Sequence, residues 1–237
     1  AIVDLRPYVA KMEWKVGIGT DHIQDASYPF LIQEKYRAGY FTHYAGEGTV
    51  RSAKLTYCGE EVDLCLCPTH AHFSQEGNTR ILTLDPVTVE FTDLRLRLQT
   101  RLFFEEGASN IRIERKILEM SNPDAQVELN EYMVACYGTP EYTEDMAGIT
   151  LSAVKGSDTG TLPYEYKCRE EAVAGADSVA AVIPQICTRV SMTCSHPQAE
   201  GYVKEGYAFS PMFTLGYKAM ISDKEVVSTW LSLEKAN

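Results

Sequence analysis

No stretch of the 237-residue sequence holds the eighteen or so consecutive apolar residues that a membrane-crossing helix needs, so no span is expected. Basic runs are missing too. Lys and Arg number 22 against 33 Asp and Glu, a formal net charge of −11. Long-range repulsion then disfavours nucleic acid and anionic membrane surfaces as partners and leaves neutral ligands such as sugars open. The N-terminal stretch carries Asp4, Arg6, Lys11, Glu13 and Lys15 in place of the apolar core of a signal peptide. The expectation is a cytoplasmic chain, or one from which a leader has been removed. No GxGxxG follows a strand, and P-loop, GxSxG and HExxH segments are absent, which argues against nucleotide enzymes and the familiar serine and zinc hydrolases.

Cysteine is not scarce, but a disulfide scaffold is. The seven residues at 58, 65, 67, 136, 168, 187 and 194 are odd in number and lack small-scaffold spacing. Most have apolar or β-branched neighbours. Buried thiols in a reducing compartment are the reading. Linkers, repeats and low-complexity tracts are also missing, so residues 1–237 read as one domain.

Helical periodicity is scarce as well. What recurs is period-two alternation rich in β-branched and aromatic residues, in about fifteen segments including 11–18, 30–37, 40–45, 49–57, 61–67, 79–84, 87–93, 94–105, 110–120, 126–137, 148–154, 164–169, 188–194, 209–220 and 225–234. Cys58-Gly59, Asp85-Pro86, Glu106-Gly107, Ser121-Asn122-Pro123-Asp124 and Ser222-Asp223 carry the chemistry of tight reversals. Short connections imply antiparallel neighbours. One segment, REEAVAGADSVAAVI at 169–183, is Ala-rich and is assigned to a helix or a long excursion. The fold class expected is all-β, a large two-layer antiparallel sandwich.

In LRLRLQTRLFF, Leu94, Leu96 and Leu98 alternate with Arg95, Arg97 and Gln99, so one face is dry and the other wet and basic. NIRIERKILEM repeats the pattern, with Ile111 and Ile113 against Arg112 and Glu114. Such arginines can hydrogen-bond a ligand's hydroxyls or pair with glutamates across the strands.

This succession, a long strand carrying IRIERKIL, a turn reading SNPDA and a second long strand reading QVELNEYM, resembles the core hairpin of the galactose mutarotase-like β-supersandwich. Aldose epimerases share that fold with β-sandwich domains of glycoside hydrolases, carbohydrate phosphorylases and polysaccharide lyases. The resemblance implies a supersandwich and a sugar-related setting. It does not extend to mutarotation, because the Asn-x-x-His-Gly-Gly type segment is absent and Glu200, Glu205, Glu225 and Glu234 have no proline beside them.

The densest chemistry lies in CLCPTHAHFSQEGNTR, residues 65–80. Pro68 marks a strand end and places the histidines at a rim, where sandwiches carry ligand sites. Three functional readings compete. His70, His72 and Glu76 resemble the first metal motif of cupins, a His-x-His-x3-Glu site, although flanking glycines and a second motif are missing. Cys65, Cys67, His70 and His72 form a thiolate and imidazole zinc site in the second reading. In the third, His70, His72 and Glu76 are acid and base groups of a sugar cleft lined by Arg80, or bind the sugar without reaction. Two rim histidines with no ligand stand beside all three. His43, beside Tyr44 in YFTHYAGEG, adds aromatic support suited to a sugar face.

The expected function is a carbohydrate-active or carbohydrate-binding sandwich that holds a saccharide in a cleft on the concave sheet face. Acid and base roles fall to His70, His72 and Glu76, and substrate contacts to His43, Tyr44, Arg80, Arg112 and Glu131. A metal-dependent cupin-like enzyme and a non-catalytic accessory domain are the alternatives. No cofactor or metal is expected, and a homo-oligomer or a partner domain is compatible with the sequence.

Overall fold

A computed structural model describes residues 2–6, 9–13, 53–64, 67, 69–136, 148–165, 167–184, 188–207 and 210–236. Alternating apolar residues form strands β1 (Ile2–Arg6), β2 (Val9–Glu13), β3 (Ala53–Tyr57), β4 (Glu60–Asp63), β5 (Ala71–Glu76), β6 (Thr79–Glu90), β7 (Arg95–Glu105), β8 (Asn110–Met120) and β9 (Val127–Cys136). They continue as β10 (Thr150–Lys155), β11 (Asp158–Pro163), β12 (Glu170–Ala174), β13 (Ser178–Ile183), β14 (Thr188–Cys194), β15 (Glu200–Tyr207), β16 (Ser210–Ile221) and β17 (Val226–Lys235). No α-helix occurs among the described residues.

A nine-stranded antiparallel sheet runs β11-β10-β13-β14-β17-β8-β7-β6-β5, and a six-stranded one runs β12-β15-β16-β9-β3-β4. β1 and β2 pair with each other. The dry faces of the two larger sheets meet in one core, in which Leu96, Leu98 and Ile117 of the first pack with Leu55, Val127 and Leu129 of the second, each at most 1% exposed. Full burial of such a side chain is worth about 1.5–3 kcal/mol. The alternation expected for 94–105 and 110–120 is present: Leu94, Leu96, Leu98, Ile111 and Ile113 are buried, while Arg95 and Arg97 are exposed.

SNPDA is not a hairpin turn. β8 pairs with β7 and β17, whereas β9 pairs with β16 and β3, so residues 121–126 carry the chain from one sheet to the other. The backbone N–H of Ser121 bonds the Arg95 carbonyl at 2.8 Å, and the Asn122 side chain accepts from Asp124 at 3.1 Å, which folds the chain out of the ladder. Ser222-Asp223 is a second crossing, from β16 to β17, and Asp223 Oδ1 accepts from Met120 N at 2.8 Å, so the two crossings brace each other. Cys58-Gly59 is the tight hairpin expected, with both residues at positive φ (48° and 84°).

Other expectations are corrected. Residues 169–183 are not helical: β12 joins the six-stranded sheet and β13 the nine-stranded one, with Gly175 at φ 68° between them. β-Branched Val173, Val179, Val182 and Ile183 favour strands, and the small Ala181 packs at 0% exposure where the sheets close together. Residues 164, 165 and 167–169 belong to no extended strand, and β1, β5, β11 and β15 are strands that the alternation leaves out. Cys58 and Cys168 are exposed, at positive-φ positions off the sheets, rather than buried, and Cys67 and Cys194 are half-buried; all four are free thiols. The expected strands at 30–37 and 40–45 lie outside the described residues.

Two buried carboxylates organise the interior. Arg115 of β8 and Glu131 of β9 form a two-pronged fork across the sheets, Nε to Oε2 at 2.8 Å and Nη2 to Oε1 at 3.0 Å, and Arg115 Nη1 donates to Thr100 Oγ1 at 2.7 Å. Glu205, inward on β15, gathers the 164–169 loop: it accepts from Glu165 N at 2.6 Å, Lys167 N at 2.9 Å and Arg169 Nε at 2.7 Å. Burial pushes the Glu205 carboxyl up, but the Arg169 guanidinium and these backbone donors outweigh it and hold the carboxyl below the usual glutamate range.

Removing one partner from the core fork leaves an uncompensated charge between the sheets, so Glu131→Ala is expected to cost about 3–5 kcal/mol in urea denaturation. Glu205→Gln is expected to cost about 2 kcal/mol at neutral pH. Because the folded carboxyl is depressed, its contribution is complete above the unfolded value of about 4.3 and vanishes as pH falls through the folded one. Wild type and Glu205→Gln should therefore converge in stability only in acid, which denaturation curves at stepped pH will show.

Candidate functional site

The central strands of the six-stranded sheet turn a polar row to the outside. On β9 the inward residues Leu129, Glu131 and Met133 alternate with Glu128, Asn130 and Tyr132, and on β16 Leu215 and Tyr217 alternate with Thr214, Gly216 and Lys218. The register sets Tyr202 of β15 opposite Gly216, and Gly216 opposite Tyr132. The Tyr202 ring lies directly over Gly216: a Cβ there would sit 2.5 Å from its Cζ. Glycine in the middle of a strand is required by that close approach.

From this seat the Tyr202 hydroxyl reaches two strands across and donates to Asn130 Oδ1 at 2.9 Å. Lys218 Nζ stands 5.0 Å from the ring centroid. Burial pushes the Tyr202 phenol up, so it remains a donor at any physiological pH. Along the next row the register aligns Lys54, Asn130, Lys218 and Glu200. Lys54 is held by Glu61 at 2.6 Å, and that hydrogen bond raises its pKa. Tyr202 itself is 6% exposed, so what the arrangement presents is a fixed amide, the Thr214 hydroxyl and ammonium groups at half-buried positions, a set that hydrogen-bonds hydroxyls.

The residues singled out from sequence are distributed differently. His70 and His72 lie at the rim of the nine-stranded sheet, both exposed, with the His70 carbonyl accepting from Asp85 N at 2.8 Å and His72 Nδ1 3.7 Å from Asp85 Oδ1. Glu76 closes the same strand, four residues or about 13 Å along from His72 and on its face. Arg80 pairs with Gln75, so it points to the opposite face. Arg112 sits three strands in from β5, its guanidinium 3.5 Å above the Phe103 ring and 3.4 Å from Glu114, which Arg101 also approaches at 3.5 Å. Glu131 is buried in the core fork. The structure thus gathers His70 and His72 on one edge and separates Arg80, Arg112 and Glu131 from them. His43, Tyr44 and Cys65 lie outside the described residues.

Among the described residues no three His, Cys, Asp or Glu side chains are grouped as a metal ion would require. Nor is any helix among them long and apolar enough to cross a membrane. Sequence reasoning missed Tyr202, Asn130 and Lys218. The signal available was Gly216, a lone glycine inside the alternating run FTLGYKAM.

No protein-family model matches the sequence, and no curated protein matches it. Among solved structures the chain is similar to the α-N-acetylgalactosaminidase NagBb from Bifidobacterium bifidum, solved with GalNAc, at 11% identity and a TM-score of 0.60, over 78% of this chain and 31% of that enzyme. It is also similar to a galactose mutarotase related enzyme from Lactobacillus acidophilus, at 7% identity and a TM-score of 0.46, over 78% of this chain and 79% of that one. A galactose mutarotase-like protein from Clostridium acetobutylicum matches at 6% identity and a TM-score of 0.46, over 71% and 66%. At such identities the likeness is one of fold. The chain has an all-β, two-sheet fold, shared over 78% of its length with part of that galactosaminidase.

Proposed function

We propose that this protein binds a saccharide on the outward face of its six-stranded sheet, with Asn130, Thr214 and Lys218 meeting hydroxyls and the buried Tyr202, 6% exposed, holding Asn130 in place. The observation that carries the reading is the seat of Tyr202 on Gly216, with its hydroxyl locked to Asn130 at 2.9 Å and Lys218 beside the ring. Donors and acceptors fixed in place on half-buried strand positions suit a ligand with many hydroxyls. A net charge of −11 favours a neutral sugar over an anionic one. Likeness to an enzyme solved with GalNAc supports the same ligand class, although this chain spans about a third of that enzyme and the proposal is one of binding. The acid and base roles expected for His70, His72 and Glu76 belong to the rim of the other sheet and form no part of it.

A thermal-shift screen of mono- and oligosaccharides tests the proposal, because a ligand that binds only the folded chain adds about 2.7 kcal/mol at one hundred times its Kd. At least one sugar should raise the melting temperature, and Asn130→Ala and Lys218→Ala should each weaken it tenfold or more. If no sugar shifts the transition, or both variants bind as wild type does, the proposal fails. Gly216→Ala should push the Tyr202 ring off its seat, costing about 1–3 kcal/mol in denaturation and abolishing the shift.

A further inference from the structure

Among the described residues, β5 ends the nine-stranded sheet and lacks the brevity, the paired acidic residues or the proline found on the other three edges. β4 is four residues long and reads EEVD, β12 reads EEAVA, and β11 ends in Pro163. Natural sheets blunt their edges with such devices. β5 reads AHFSQE, its residues from 72 to 76 are all exposed, and Phe73 is 58% exposed, the largest value for a large apolar side chain among the described residues.

The turn settles which backbone groups are free. Glu76 and Thr79 flank the two-residue Gly77-Asn78 loop, with Gly77 at φ 58°, so they form a hydrogen-bonded pair. By the alternation of an antiparallel ladder, Ser74 and His72 also spend their backbone groups on β6, while Ala71, Phe73 and Gln75 direct theirs outward.

We propose that β5 pairs antiparallel with β5 of a second copy of this chain about a two-fold axis at Ser74. In that register Phe73 and Gln75 of one copy exchange backbone hydrogen bonds with Gln75 and Phe73 of the other. Ser74 faces Ser74 in a non-hydrogen-bonded pair, and His72 of each copy faces Glu76 of its partner on one side of the sheet. On the other side the two Phe73 rings become diagonal neighbours and cover each other. The strand is therefore complementary to itself in hydrogen bonding, charge and apolar surface, as an isologous interface requires. An edge of six residues buries less than the ~1,200 Å² of a stable interface, so the dimer dissociates on dilution.

Sedimentation velocity across a dilution series tests this on the full chain. A monomer–dimer equilibrium is expected. His72→Glu should abolish it by setting like charges opposite each other, and the double variant His72→Glu/Glu76→His should restore it, an outcome that a general loss of folding cannot produce. In a Cys58→Ser/Cys168→Ser background, Ser74→Cys should cross-link into a disulfide dimer on mild oxidation, since Cα atoms of a non-hydrogen-bonded pair lie about 4.5 Å apart. Thr79→Cys, on the inner strand, should not. A monomer at every concentration, or Ser74→Cys cross-linking no faster than Thr79→Cys, overturns the proposal.

Discussion

The rest of the fold is arranged around a charge pair that water never reaches. Arg115 and Glu131 are each at most 5% exposed and belong to different sheets, so their fork is a direct bond between the two layers. Isolated, either charge would cost several kcal/mol in the core. Together, with Thr100 taking a further guanidinium N–H, each prong is a short charge-assisted hydrogen bond, and two parallel prongs tolerate little sliding. The crossing at 121–126 delivers β8 and β9 to opposite layers, and the fork then sets how those layers sit on each other.

Tyrosine and glycine repeat the same device on the two faces of β16. Inward, Tyr217 donates to the carbonyls of Met192 at 3.2 Å and Ala176 at 3.4 Å, beside Gly201, where a Cβ would come within 2.7 Å of Ala176. Outward, Tyr202 lies over Gly216. In both places an absent side chain lets a ring lie close to the backbone. Inside, the result is a tie between layers; outside, it is a rigid aromatic body flanked by polar groups. The proposed binding face therefore inherits its order from the core beneath it, because Tyr217 and Gly216 are consecutive residues of one strand.

Glu205 does similar work at the other margin of the six-stranded sheet. Beyond the buried Tyr164, a carboxylate that collects three backbone donors and one guanidinium gives the chain a fixed path there. The histidine rim differs in kind. Among the described residues, His70, His72 and Glu76 are held by the β5–β6 ladder, Thr69 and Asp85, and their side chains are exposed at that edge.

The sequence by itself determined the class of structure. LRLRLQTRL and NIRIERKIL alternate so regularly that one face of each strand had to be dry, and dry faces on many antiparallel strands require a second layer. Cys58-Gly59 announced its hairpin through a glycine suited to positive φ. Other features were not local properties. SNPDA has the composition of a turn whether it joins neighbours or crosses between sheets, and only the pairing of β9 with β16 decides which. REEAVAGADSVAAVI has alanines typical of helices, yet Ala176 packs against Gly201 between two strands. AHFSQE has no dry face, its residues from 72 to 76 all being exposed. Arg115 and Glu131 look like ordinary solvated charges in the chain, and Tyr202, Gly216 and Asn130 stand far apart in it; their meeting depends on register between strands 15, 16 and 9, which long-range packing alone selects.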